Sequence, residues 1–299
     1  MVPSDPRSTT GHVPDGPARM PDGHGRDVPD DDDEYVGQRD LTRWDTSAGR
    51  ALVAGTHRVV DRAEKLWGWA APRWLLLVGV ITGVLLAASM ALGTSEVYEA
   101  VVEGDGVAGL DQPLLDSAVQ ARTPTTEALV TAYTDIGGQL GMSVLATLVA
   151  IGLGLRWRSW TPPALMAIVA AGSLSMTVAG KAAVGRARPP LEQAVPPFES
   201  SFSFPSGHTL NSTALAGIVA YLLVRKMRRR WSRALTVVLA AVFAVTIGLS
   251  RVYLGHHWLT DVVVAWLLAL GWLAIVITGH RLWLTDRRRG THRVPAPGG

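Results

Sequence analysis

Between residues 74 and 277 the apolar positions gather into six runs, at 74–92, 138–155, 160–184, 209–224, 234–249 and 261–277. A bilayer core takes about twenty apolar residues per helix. The runs do not alternate with period two, so they predict helices rather than barrel strands. Several fall short of the full length, and their ends are expected to extend into the polar motifs beside them. The expected fold is all-α: a polytopic membrane bundle of six transmembrane helices, spanning residues 72–280.

Residues 1–46 are rich in Pro, Gly, Asp and Arg and include the run Asp30, Asp31, Asp32, Asp33 and Glu34. Such a segment cannot bury a core, and a solvated, disordered acidic tail is expected. The first apolar run lies too far from residue 1 to be a secretory signal peptide. Across residues 47–71, Leu52, Val59, Val60, Ala63, Leu66 and Trp67 recur at helical spacing, with Arg50, Arg58, Arg62 and Lys65 between them. This predicts an amphipathic helix, lying on a membrane surface or packed on the membrane domain. Residues 281–299 form a basic tail.

Charge sets the orientation. Arg62, Lys65, Arg73, Arg156, Arg158, Arg225, Lys226, Arg228, Arg229, Arg230, Arg233, Arg281, Arg287, Arg288 and Arg289 all fall on one side of a six-span bundle. The positive-inside rule makes that side, and both termini, cytoplasmic. Outside lie the loops at 93–126, 185–208 and 250–260; the first carries Glu96, Glu99, Glu103, Asp105, Asp111 and Asp116. The chain has no cysteine, which excludes disulfides, thiolate metal sites and a cysteine nucleophile.

The outer loops hold the candidate chemistry. Lys181, one of three lysines with Lys65 and Lys226, ends the third span; Arg186 and Arg188 follow it. Cations there run against the rule that set the orientation, and suggest a bound anion. Pro205, Ser206, Gly207 and His208 precede the fourth span. They read as a helix start, whose free N–H groups and partial positive charge make an anion cradle. Gly207 allows close approach, Ser206 adds a hydroxyl, and His208 stands ready to exchange a proton. Arg251, His256, His257 and Asp261 surround the last loop. His257 and Asp261 are four apart, so on one helix face they meet, and the carboxylate would fix the histidine's tautomer. His256 points elsewhere on that spacing.

The series Lys181, Arg188-Pro189, then Pro205-Ser206-Gly207-His208, then Ser250-Arg251, His257 and Asp261 resembles the three-part signature of the type-2 phosphatidic acid phosphatase superfamily. The resemblance covers residues 74–277 and leaves the acidic tail and surface helix outside it. It implies phosphate binding by Lys181, Arg188, Ser206, Gly207 and Arg251, a nucleophilic His257, an acid His208 and an orienting Asp261. It leaves the role of Arg186 open. It also implies that neither metal nor cofactor is needed, and that the substrate is a phosphorylated lipid, with membrane lipids and no nucleic acid as partners. By analogy a polyprenyl diphosphate comes first, then phosphatidate or phosphatidylglycerol phosphate. Transfer of the same phosphate to an acceptor alcohol, and a non-catalytic binding protein of the same fold, are the alternatives.

Overall fold

The structure is a computed structural model, and it describes residues 106–292 together with short stretches between 35 and 58. Residues 1–34 of the expected tail at 1–46, most of the expected surface helix and the first expected span at 74–92 lie outside the described residues. Of the surface helix, Ser47, residues 49–55 and Arg58 are described and are helical.

Five described helices are long and apolar enough to cross a bilayer. They are α3 (Gln139–Trp157), α4 (Thr161–Val184), α5 (Gly207–Lys226), α6 (Arg230–Tyr253) and the apolar part of α7 (Leu259–His292). They correspond to the second through sixth runs. Their ends do extend into the motifs: Lys181 is in α4, Gly207 and His208 open α5, Arg251 is in α6, and Asp261 is in the first turn of α7. Helix α7 runs on past residue 280, where Arg281 donates to the Leu41 carbonyl at 3.0 Å and its guanidinium lies 4.3 Å from the Trp44 ring centre. The only strands among the described residues are Tyr35–Val36 and Arg39–Asp40, paired antiparallel.

Two further helices precede the second run: α1 (Asp111–Gln120), inside the expected outer loop, and α2 (Pro124–Ile136), which starts in that loop and ends beyond it. Thr123 and Thr126 form a reciprocal capping box at the start of α2, with Pro124 at its first position. Helix α1 buries Leu115 and Asp111. Both helices are too short to span a bilayer, which is why a search for long apolar runs passes over them.

Helix α5 is the hub. Leu210, Ala214, Ile218 and Leu222 recur every four residues and are all buried. They pack with Leu165, Met166 and Val169 of α4 and with Ala265, Ala269, Leu273 and Val276 of α7 in one core. Half of the α5 span is buried, against 6% of α3, although α5 is the least apolar of the five. This inversion suits hydrocarbon: the protein interior accepts Thr209, Ser212 and Thr213, whereas the lipid face must be apolar. Leu148, Ile151 and Leu155 of α3 and Val238, Leu239 and Val242 of α6 are correspondingly exposed. In water such a surface would drive aggregation.

The end of α4 and the starts of α3, α5 and α7 lie at one end of the bundle, with the end of α6. The segment from Gly185 to Ser206 straps this end. Val195 N–H donates to Leu254 O at 2.9 Å, Ser203 N–H to Arg186 O at 2.9 Å, and Ser206 N–H to Asp261 O at 3.4 Å. Arg122 ties in the α1–α2 junction, donating to Gln193 O at 2.6 Å and Tyr253 O at 2.7 Å.

Candidate active site

The strap and the α6–α7 turn bring the three sequence segments together. The turn depends on Gly255, whose φ of +71° belongs to the left-handed region. A Cβ there would also stand 2.3 Å from Gln193 O. The chain thereby reverses tightly enough for the His256 and His257 N–H groups to reach back to Arg251 O, at 3.0 and 3.3 Å.

His257 and Asp261 do meet, with Nδ1 and Oδ2 3.6 Å apart, but not on a shared helix face. His257 precedes α7, while Asp261 lies in its first turn and accepts the Trp258 N–H at 3.0 Å. This is the reach-back of an acidic residue at a helix start, and it aims the carboxylate at the residues before the helix. Ser203 sits between the two: its hydroxyl donates to Asp261 Oδ2 at 2.5 Å and lies 3.4 Å from His257 Nδ1. That assigns the Nδ1 proton to the Asp261 side and leaves the Nε2 lone pair facing Arg188 Nη1, 3.3 Å away.

Burial holds the His257 imidazole well below its ordinary pKa, at about 4, against the pull of Asp261. The ring is therefore neutral at physiological pH. His256 is different: its ring bonds the Val195 carbonyl at 2.6 Å, so it fastens the strap.

Arg188 is held by Ser201 O at 2.6 Å, His256 O at 2.5 Å and Glu199 Oε2 at 2.7 Å. Arg251, 2% exposed, donates to the other oxygen of Glu199. One carboxylate thus bridges the two guanidiniums assigned from the sequence to phosphate. Burial alone would raise the Glu199 carboxyl. Arg251 and Arg188, with His257 and His208, reverse this and hold it at about 2. Lys181 bonds Ser201 Oγ at 3.1 Å and the Phe202 carbonyl.

The Ser206 hydroxyl is buried and caps α5, accepting from the Thr209 hydroxyl at 2.8 Å and the Thr209 N–H at 3.5 Å. What α5 offers an anion is backbone: the first-turn N–H groups of Gly207 and His208 have no carbonyl partner in their own helix. His208 packs under the start of α3, where a Cβ on Gly138 would stand 3.2 Å from Nε2.

Glu199, Ser201 and Ser203 were missed in the sequence because nothing distinguishes them within a polar loop. Asp111 was one of six acidic residues in the first outer loop. Arg186 was noticed but not placed. It binds Asp261 Oδ1 at 2.6 Å and Asp111 Oδ2 at 2.8 Å, not the Arg188–Arg251 pair.

Three comparisons bear on this site. A family model described as the PAP2 superfamily matches residues 162–284, which run from the start of α4 into the end of α7. The Bacillus subtilis (strain 168) protein named Phosphatidylglycerophosphatase B is 30% identical over 167 residues, 56% of this chain and 81% of its own length. The Escherichia coli (strain K12) protein of that name is 35% identical over 98 residues, 33% of this chain and 35% of its own length. The crystal structure described as the first transmembrane PAP2 type phosphatidylglycerolphosphate phosphatase, from Bacillus subtilis, matches with a TM-score of 0.53 and 26% identity. The match covers 73% of this chain and 97% of that one.

Proposed function

This chain is a membrane lipid phosphatase of the PAP2 superfamily, and we propose that it works through a phosphohistidine formed on His257. The observation that carries the reading is the Glu199 carboxylate held between Arg188 and Arg251, against the histidine–aspartate pair. An anion already sits on the cations expected to take the phosphate.

In this reading a phosphoryl group replaces Glu199 on the two guanidiniums, with Lys181 and the α5 N-terminus holding its remaining oxygens. Nε2 of His257 attacks phosphorus in line. The P–N bond forms as the P–O bond to the lipid breaks, and His208 gives its proton to the departing oxygen. Water then attacks the phosphohistidine, His208 takes up the proton released, and inorganic phosphate leaves. Asp261 balances the positive charge that grows on His257. Most of the barrier in phosphoryl transfer is met by such positioning and electrostatics.

In this reading the substrate lies at the extracytoplasmic boundary, since the arginine-rich ends of α3 and α5 and the arginine-rich start of α6 lie opposite the site. We put the monoester of phosphatidylglycerol phosphate first, following the names of the two relatives. The polyprenyl diphosphate favoured from the sequence becomes the second reading. Lys181, Arg188 and Arg251 set three cations against one Glu199, which suits the extra charge of a diphosphate. Phosphate release by the purified protein from each lipid tests both readings. Release from either lipid must vanish in His257→Ala, and equal release by this variant and the wild type would remove the proposed nucleophile.

A further inference from the structure

We infer that Asp111 and Arg186 form a relay that positions and charges Asp261, and through it His257, without touching phosphate. The inference rests on the reading of His257 as nucleophile.

Arg186 is spread across two carboxylates. Nη1 donates to Asp261 Oδ1 and to Thr260 Oγ1, both at 2.6 Å, and Nη2 donates to Asp111 Oδ2 at 2.8 Å. Asp111 also accepts from Thr260, from its N–H at 2.9 Å and its hydroxyl at 2.7 Å. The side chains of Arg186, Asp111 and Asp261 are 11%, 7% and 0% exposed. The guanidinium also lies 5.6 Å from the Trp258 ring centre, which fixes its plane. All of this places the cation behind Asp261, on the side away from Nε2 of His257.

The charges explain why two residues are needed. A fully buried, unpaired Asp261 would take up a proton, and could then no longer accept from His257. The contact with His257, the Arg186 cation and the Ser203 hydroxyl together favour its ionised form. A guanidinium alone would also cancel the negative field that His257 needs as Nε2 bonds to phosphorus and the ring becomes cationic. Asp111 restores it: two carboxylates around one guanidinium carry one net negative charge. Asp111 is the first residue of α1, so the outer helix is thereby fastened to the first turn of α7.

The test is steady-state kinetics of the full chain in detergent, with product inhibition by orthophosphate measured alongside. Asp111→Asn keeps the shape and removes the charge. We expect kcat to fall roughly 10- to 100-fold, the range for a partner that acts through another side chain. KM and the orthophosphate product-inhibition constant should stay within about twofold, since ground-state anion binding is untouched. Arg186→Lys should retain more kcat than Arg186→Gln. An unchanged kcat in Asp111→Asn would overturn the relay. So would a loss of orthophosphate binding in step with kcat, or failure of both Asp111→Asn and Arg186→Lys to yield folded protein, since either marks a structural role. A fully active His257→Ala would instead sink the nucleophile reading. An inactive His257→Ala beside a fully active Asp111→Asn would sink the relay alone.

Discussion

Arg188 Nη1 rests 3.3 Å from Nε2 of His257, so the guanidinium proposed to grip the phosphate also covers the nitrogen proposed to attack it. Binding of a phosphoryl oxygen to that guanidinium draws its proton away and frees the lone pair in the same movement. The planar fork matters, because the same group also bonds Glu199 and the backbone carbonyls of Ser201, His256 and Phe202. A lysine cannot reproduce that fork. Arg188→Lys is therefore expected to lower kcat/KM by about 10²–10³-fold, as for loss of a charge-stabilising donor. Kinetics on a lipid phosphate check this.

On the proposed mechanism Glu199 competes with phosphate for Arg188 and Arg251, and those arginines hold its carboxyl at about 2. Removing its charge while keeping its shape should favour the external anion. In Glu199→Gln, orthophosphate is expected to bind about tenfold more tightly, which corresponds to ~1.4 kcal/mol. Product inhibition measured in both proteins decides the matter.

The pH dependence has a definite sign. Buried His257 stays neutral in the folded chain down to about pH 4, whereas the unfolded chain protonates it at its ordinary value. The unfolded state therefore binds more protons between these limits. Stability is full above about 6.5, the ordinary histidine value, and declines as pH falls toward 4. The thermal midpoint should drop over this interval, and His257→Gln should drop less. The acid limb of kcat/KM that reports His257 should lie near pH 4 rather than near 6.5.

The absence of native cysteine makes topology directly measurable, since any thiol is one that has been introduced. Glu192 in the strap and Arg229 between α5 and α6 are both exposed. Glu192→Cys is expected to react with a membrane-impermeant maleimide added to intact cells. Arg229→Cys should react only after permeabilisation.

Long-range order was readable where chemistry is concentrated in few residue types. Apolar runs marked α3 to α7, and cations on the wrong side for the positive-inside rule marked Lys181, Arg186 and Arg188. His257 and Asp261 were paired correctly for an incorrect reason: four-residue spacing suggested one helix face, while the contact comes from a carboxylate in the first turn of α7 reaching backward. Helices α1 and α2 escaped because short helices with mixed faces carry no membrane signal. Asp111 and Glu199 escaped because their meaning is set by partners 75 and 52 residues away, Arg186 and Arg251. No local pattern records such a distance.

The central claim is that phosphorus becomes bonded to His257. His208→Asn is the variant in which to look, using an aryl phosphate whose leaving group needs no proton. The first step then proceeds, while hydrolysis of the intermediate has lost its base. Alkaline quench and mass spectrometry of the peptides should find one phosphoryl group on His257. A phosphoryl group on any other residue, or turnover of the aryl phosphate with none on the protein, would contradict the account.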